Sequence, residues 1–236
     1  SLETCGAHIA HAGLAAGRHP LDRYAARTKL CAVLPRVFRT EDEALFREKL
    51  QRFPQLSAVA VGNLGHLPIV EGLGLEVRGD FGLNVFNSRA LAFLRELGLA
   101  SATVSFELRH QQVRDLAKLL PCEGIVYGRL PLMVMENCIT KNNVGCRHGA
   151  GSTLTDRTGA QFPVQCVYGC RNEIENSLPL FLADKAEWRG CGLTSARLRF
   201  TTETADECAA VLRRYRGEGD YAPEKYTRGL FYRGVE

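Results

Sequence analysis

No stretch of the 236-residue chain approaches the roughly 20 consecutive apolar residues that a bilayer-crossing helix needs, so no membrane span is expected. The opening SLETCGAHIAHAG has neither the charged n-region nor the continuous apolar run of a secretory signal, and a cytoplasmic protein is expected. A block of one charge sign is missing too. The 30 basic and 26 acidic residues give a net charge of +4 and form no long run resembling a nucleic-acid-binding tail, although folding can still gather a basic groove. Hydrolytic signatures are also lacking: there is no serine elbow, no H-E-x-x-H and no paired metal-protease motif. His8 and His11 stand at helical spacing without an acidic third ligand, which suits surface residues better than a metal site. No internal repeat is visible.

What the chain does have is cysteine. Its 45% hydrophobic and 24% charged content is ordinary for a globular protein, but nine cysteines are many for a reducing compartment, and an odd number cannot all be paired.

Between about residues 30 and 135, short β-like runs alternate with helical patterns, the order expected of parallel strands joined by crossover helices. The strand candidates are LCAVLP (30–35), AVAVG (58–62), EVRGDF (76–81), ATVSF (102–106) and GIVYG (124–128). Thr40 with Glu43 reads as a capping box, a second helix follows Ser88 with Leu91, Leu94 and Leu97 on one face, and a third carries Val113, Leu116 and Leu120. Five such strands are too few for a closed eight-stranded barrel, which takes about 250 residues. The expected fold is therefore α/β: a partial TIM-like β/α barrel over 1–135, including an N-terminal extension, followed by a cysteine-rich hairpin region and C-terminal helix over 136–236. In that second part LTDRTGAQFPVQCVYGC reads as a hairpin turning at Thr158–Gly159, ARLRFT as a strand, and Thr204 with Glu207 as the capping box of a helix reaching about Tyr215.

Cys138, Cys146, Cys166 and Cys170 are separated by seven, nineteen and three residues, all on loop or hairpin sequence. Four thiolates suit a tetrahedral zinc or a cubane cluster. Zinc ribbons use two tight pairs, and only Cys166 and Cys170 form one here, so the spacing leans towards iron–sulfur while leaving zinc open. Cys5, Cys31, Cys122, Cys191 and Cys208 sit alone on apolar or helical patterns and are expected to act as small hydrophobes, with Cys122 and Cys191 as alternates for the metal set.

GLNVFNS, TVSFELRHQQV, VYGRLPLMVMENC, LTDRTGAQFPV, CRNEIENSLPL and YTRGLFYRGVE, in this order, strongly resemble the U32 peptidase family, as the C-terminal half of a member. The family name implies proteolysis, whereas its better-understood members are oxygen-independent hydroxylases that act on a ubiquinone precursor, tRNA uridine or ribosomal RNA cytidine. They carry a four-cysteine [4Fe–4S] cluster and take hydroxyl from prephenate. The resemblance implies a cluster on Cys138, Cys146 and Cys170, a set that Cys166 completes, and a hydroxylase or related redox enzyme. A U32-type peptidase is the competing enzyme reading. A non-catalytic partner subunit is the third, because a half-barrel leaves apolar edge strands for a second chain or second copy to cover.

In a β/α barrel the site is built at the strand C-termini. The polar residues there are Asn63, Asn84, Asn87, Glu107, Arg109 and Arg129. Glu107 is a candidate catalytic proton acceptor, or a surface carboxylate at a helix start. Arg129 is a candidate grip on a carboxylate such as that of prephenate, or an ion-pair partner of Glu107 or Glu136. Asn63, Asn84, Asn87 and Arg109 are candidate substrate contacts, with Asn87 better suited to cap the following helix, a role for which Ser88 competes. Arg213, Arg214, Arg216, Lys225, Arg228 and Arg233 crowd the end of the chain, as RNA binding or a solvated helix end would both require.

Overall fold

The computed structural model describes residues 4–8, 27–145, 152–168 and 171–235. The chain divides into two compact units, 1–124 with 191–196, and 125–190 with 197–236.

The first unit is a curled half-barrel of parallel strands in chain order: β1 (Thr4–His8), β2 (Lys29–Val33), β3 (Leu56–Val61), β4 (Glu76–Gly79), β5 (Ser101–Thr103) and β6 (Cys122–Gly128), the last running on into the second unit. Strand β3 shows why the sheet is parallel and covered. Ala58, Val59, Ala60 and Val61 are all buried, so successive residues pointing to opposite faces are both removed from water. Helices α1 (Glu43–Gln51), α2 (Leu67–Val70), α3 (Ser88–Glu96) and α4 (His110–Asp115) intervene between strands. Phe46 and Leu50 of α1, Leu91 and Leu94 of α3, and Val113 of α4 are the buried apolar residues of those helices, each contributing roughly 1.5–3 kcal/mol through loss of hydrated surface.

Three details differ from the sequence reading. The half-barrel has six parallel strands rather than five, because TCGAH, which carries no β-branched alternation, supplies β1. His8 thus lies on a strand, and His11 falls outside the described residues. The start of α1 is set one residue earlier than Thr40 and Glu43 suggest: the Arg39 backbone N–H donates to Asp42 Oδ2 at 3.0 Å, and Thr40–Asp42 form a 3₁₀ turn. Helix α4 stops at Asp115, so Leu116 and Leu120 are buried from the connection after it.

In the second unit, β11 (Leu180–Phe181) pairs antiparallel with the end of β6. A separate antiparallel sheet has the order β7 (Pro131–Met135), β10 (Arg171–Glu175), β9 (Gln161–Val167), β8 (Ser152–Thr155). The β8–β9 turn falls at Thr158–Gly159 as expected. Asp156 Oδ1 accepts from the Thr158 and Ala160 backbone N–H groups, and Gly159 takes the left-handed φ of 84° that the turn demands. Helix α5 (Ile139–Val144) follows β7, and helix α6 (Ala205–Tyr215) opens with the predicted Thr204–Glu207 capping box. Tyr215 anchors α6: its buried hydroxyl donates to the Val126 carbonyl at 2.6 Å and accepts from Leu182 N–H at 2.9 Å. Arg199, at the end of β12 (Ser195–Arg199), is almost buried, with its guanidinium on Glu175 at 2.7 Å and Glu173 at 3.3 Å. Among the described residues no helix is long and apolar enough to cross a membrane.

Candidate metal centre

Strand direction gathers the cysteine-bearing segments. The last residues of β7 and β9 and the first of β10 lie at one end of the antiparallel sheet, with Asn172 of β10 opposite Met135 on one side and opposite Cys166 on the other. Cys138 follows β7 by three residues, Cys166 is the next-to-last residue of β9, and Cys170 immediately precedes β10 in the sequence. Cys146 and Cys170 lie outside the described residues. Among the described residues no group of three or more metal-ligating side chains occurs.

Two interactions tie this end together. Arg171, buried, makes a bidentate pair with Glu136, Nε to Oε2 at 2.7 Å and Nη2 to Oε1 at 3.0 Å, joining the residue that follows β7 to the start of β10. Such fork-to-carboxylate geometry fixes orientation as well as distance. Asn172, with no exposed surface, accepts the Ile139 backbone N–H on Oδ1 at 2.7 Å, holding the peptide that follows Cys138. Because Ile139 N is a donor, the amide orientation is determined: oxygen faces Ile139 and nitrogen lies on the other arm. That nitrogen, Nδ2, is buried and has no hydrogen-bond partner among the described residues, an omission that costs about 1–3 kcal/mol in a folded protein. Residues directly opposite in antiparallel strands share a sheet face with Cβ atoms about 4.5–5.5 Å apart, so Asn172 and Cys166 project to the same side.

The Cys138 sulfur is an acceptor, taking the Lys141 backbone N–H at 3.3 Å, and both Cys138 and Cys166 have exposed surface. Among the described residues, two soft sulfur donors, Cys138 and Cys166, stand on the segments joined by Asn172 and its orphaned buried N–H, a chemistry that a thiolate-bound metal group can use. The remaining cysteines differ. Cys31, Cys122 and Cys191 are buried, and their thiols donate to the carbonyls of Ala32, Leu120 and His110. Burial pushes the Cys122 thiol up, away from the thiolate a metal requires. Cys122 and Cys191 belong to the first unit, whereas Cys138 and Cys166 belong to the second.

The strand-end residues occupy turns. Asn63 Oδ1 accepts Gly65 N–H at 2.8 Å, and Asn87 Oδ1 caps α3 by accepting Ala90 N–H at 2.9 Å. Ser88, its rival as a cap, instead accepts the Ala117 N–H. Asn84 is exposed, with φ of 48°, the sole non-glycine residue at positive φ among the described residues. Glu107 is half-buried, its backbone N–H on Ser105 Oγ at 3.3 Å, and exposed Arg109 opens α4 through its backbone N–H on Gln112 Oε1 at 2.9 Å. The Arg129 guanidinium donates to the carbonyls of Asn176 and Ser177 and, at 3.2 Å, to Thr202 Oγ1. Its bonds thus join segments of its own unit, and none of them runs to a carboxylate.

Sequence reading missed Asn172, Arg171 and His66. The first two could have been found from the opposite charges bracketing the motif, Glu136 just before Cys138 and Arg171 just after Cys170. His66 follows β3, fully buried against Phe38 with ring centroids 4.6 Å apart. Burial pushes its pKa down to about 4, the Pro35 backbone and the Asp80 charge opposing only in part.

The protein is thus an α/β protein with a parallel half-barrel and a cysteine-bearing antiparallel sheet. The model of peptidase family U32 matches residues 21–160, more than half of the chain, and the chain belongs to that family. A solved structure described as that of the U32 peptidase Mk0906 is similar at 14% identity with a TM-score of 0.38, over 46% of this chain and 49% of that one. This chain therefore spans about half the length of that relative. No curated protein matches it.

Proposed function

We propose that the second unit holds a [4Fe–4S] cluster on Cys138, Cys146, Cys166 and Cys170, and that the protein is an oxygen-independent hydroxylase or related redox enzyme. The observation that carries this reading is the environment of Asn172, whose amide grips the backbone beside Cys138, stands opposite Cys166 and keeps a buried N–H without an acceptor. When bound, the cluster supplies one-electron redox chemistry that no side chain offers. The chain's own part is to hold its sulfurs: the Arg171–Glu136 pair ties the Cys138 segment to β10, and Lys141 N–H directs itself at Cys138 Sγ. Prephenate as hydroxyl donor, and an RNA base or small aromatic molecule as acceptor, follow from family resemblance. A second chain or copy completing the half-barrel would enclose the strand-end turns where such a substrate binds. Zinc is the competing occupant, and a cytoplasmic setting suits either.

Metal and acid-labile sulfide analysis of anaerobically purified protein tests the reading. About four iron and four sulfide per chain are expected for a cubane cluster. One zinc without sulfide overturns it. Cleavage of casein or collagen by metal-free protein would restore the proteolytic reading that the family name carries.

A further inference from the structure

We infer that Asn172 is a positioning residue of the cysteine site, giving its remaining amide hydrogen to a sulfur of the bound cluster; this rests on the cluster reading above. The amide is buried and its orientation is fixed from one side only. Oδ1 is committed to Ile139 N–H at 2.7 Å, which leaves Nδ2 with two hydrogens and no acceptor among the described residues. A side chain needed only to hold the Ile139 peptide would require an acceptor and no donor, a task an aspartate performs as well. The neighbours supply the missing acceptor. Cys166 stands directly opposite Asn172 on the same sheet face, Cys138 precedes the very peptide that Oδ1 grips, and Cys170 is two residues away in the sequence. All three are sulfur acceptors once deprotonated, and a cluster adds sulfide.

An N–H donor on cluster sulfur stabilises the more negative, reduced state, so it raises the reduction potential. Asn172 therefore sets two properties through one planar group: Oδ1 sets where Cys138 sits, and Nδ2 sets how readily the cluster accepts an electron.

The test uses the full chain reconstituted anaerobically with ferrous iron and sulfide, as wild type, Asn172→Asp and Asn172→Leu. Iron and sulfide per chain are measured first, then the midpoint potential by redox titration followed by electron paramagnetic resonance. Asn172→Asp keeps the acceptor for Ile139 but removes the donor and adds a charge, while Asn172→Leu removes the donor without charge. Wild-type iron content with a more negative midpoint in both variants is the expected result. A loaded Asn172→Leu protein that titrates at the wild-type potential overturns the inference, even if Asn172→Asp is shifted, since charge alone would then explain the shift. Should Asn172→Leu fail to fold or load, resonance Raman spectra of the wild type and of Asn172→Asp in ordinary and heavy water decide. The Lys141 N–H on Cys138 Sγ is present in both proteins, so an exchange shift of the iron–sulfur bands that is larger in the wild type supports the Asn172 donor, and equal shifts overturn it. A wild-type protein that takes up no iron fails the cluster reading itself, a different result from a loaded protein whose potential ignores Asn172.

Discussion

The two units bury the same residue types in opposite ways. In the half-barrel, Cys31, Cys122 and Cys191 are shut away and use their thiols as donors to backbone carbonyls, while His66 is fully buried and held neutral by that burial. In the second unit, Cys138 is an acceptor with exposed surface, and the buried guanidinium groups of Arg171 and Arg199 are paired with carboxylates at 2.7 Å. The first unit thus buries a neutral imidazole and the second buries cations in pairs. The difference explains why a count of cysteines misleads and their environment does not. A thiol donating in an apolar interior is inert, whereas a sulfur that accepts an N–H and keeps exposed surface is accessible to a reagent or ligand.

The sharpest test of that contrast compares Cys138→Ala with Cys122→Ala. Iron should be lost entirely from the first and kept at the wild-type level in the second, by metal analysis of anaerobically purified protein. In the metal-free wild type, iodoacetamide should alkylate Cys138 and Cys166 well before Cys31, Cys122 and Cys191, as mass mapping would show. Equal labelling would erase the distinction between the units.

Next in size is the charge pairing. Glu175 is wholly buried against Arg199. Removing one partner of a buried pair leaves the other uncompensated, so Glu175→Ala should cost about 3–5 kcal/mol in denaturant unfolding, at the lower end because Glu173 stays beside the guanidinium. Replacing both, as Glu175→Leu with Arg199→Met, should recover most of the loss. If the double variant is as weak as the single one, the pair is more than a compensated charge.

The half-barrel's neutral histidine gives a pH signature of definite sign. Unfolded His66 takes a proton below its ordinary 6.5, but folded His66 waits until about 4. Between those values unfolding takes up a proton, so the stability that His66 permits is complete above pH 6.5 and is lost as pH falls towards 4. The loss is at most about 3 kcal/mol from the linkage between pKa shift and folding. His66→Leu should flatten this part of the stability profile, measured by urea unfolding from pH 4 to 7. An unchanged profile would assign the acid sensitivity to other groups.

Much of the half-barrel was legible because parallel strands buried on both faces leave continuous apolar runs: AVAV of AVAVG falls inside β3, and GIVYG inside β6. β1 was not, since five small or polar residues carry no period. The turn at Thr158–Gly159 and the cap at Thr204 stood out by local chemistry. Asn172 could not be read in the same way. Its role depends on strand register, which puts Met135 on one side and Cys166 on the other, and register is a long-range property. Arg129 shows the converse. Its position at a strand end suggested a ligand, yet its guanidinium is occupied by carbonyls brought from 47 and 48 residues away.

The smallest effect separates capping from substrate binding at Asn87. Its Oδ1 takes the Ala90 N–H at the start of α3, so Asn87→Ala should cost about 1 kcal/mol of stability, the usual loss of an N-cap acceptor. Asn87→Ser or Asn87→Asp should restore it, because either side chain offers an oxygen to the same N–H. Iron content should be untouched in all three, since Asn87 lies in the first unit and the cysteine site in the second. Were Asn87 a substrate contact as well, Asn87→Asp would recover stability without recovering affinity, because the amide's donor would still be missing. A thermal melt alongside a binding titration on the same three variants therefore distinguishes a cap from a cap that also recognises a ligand.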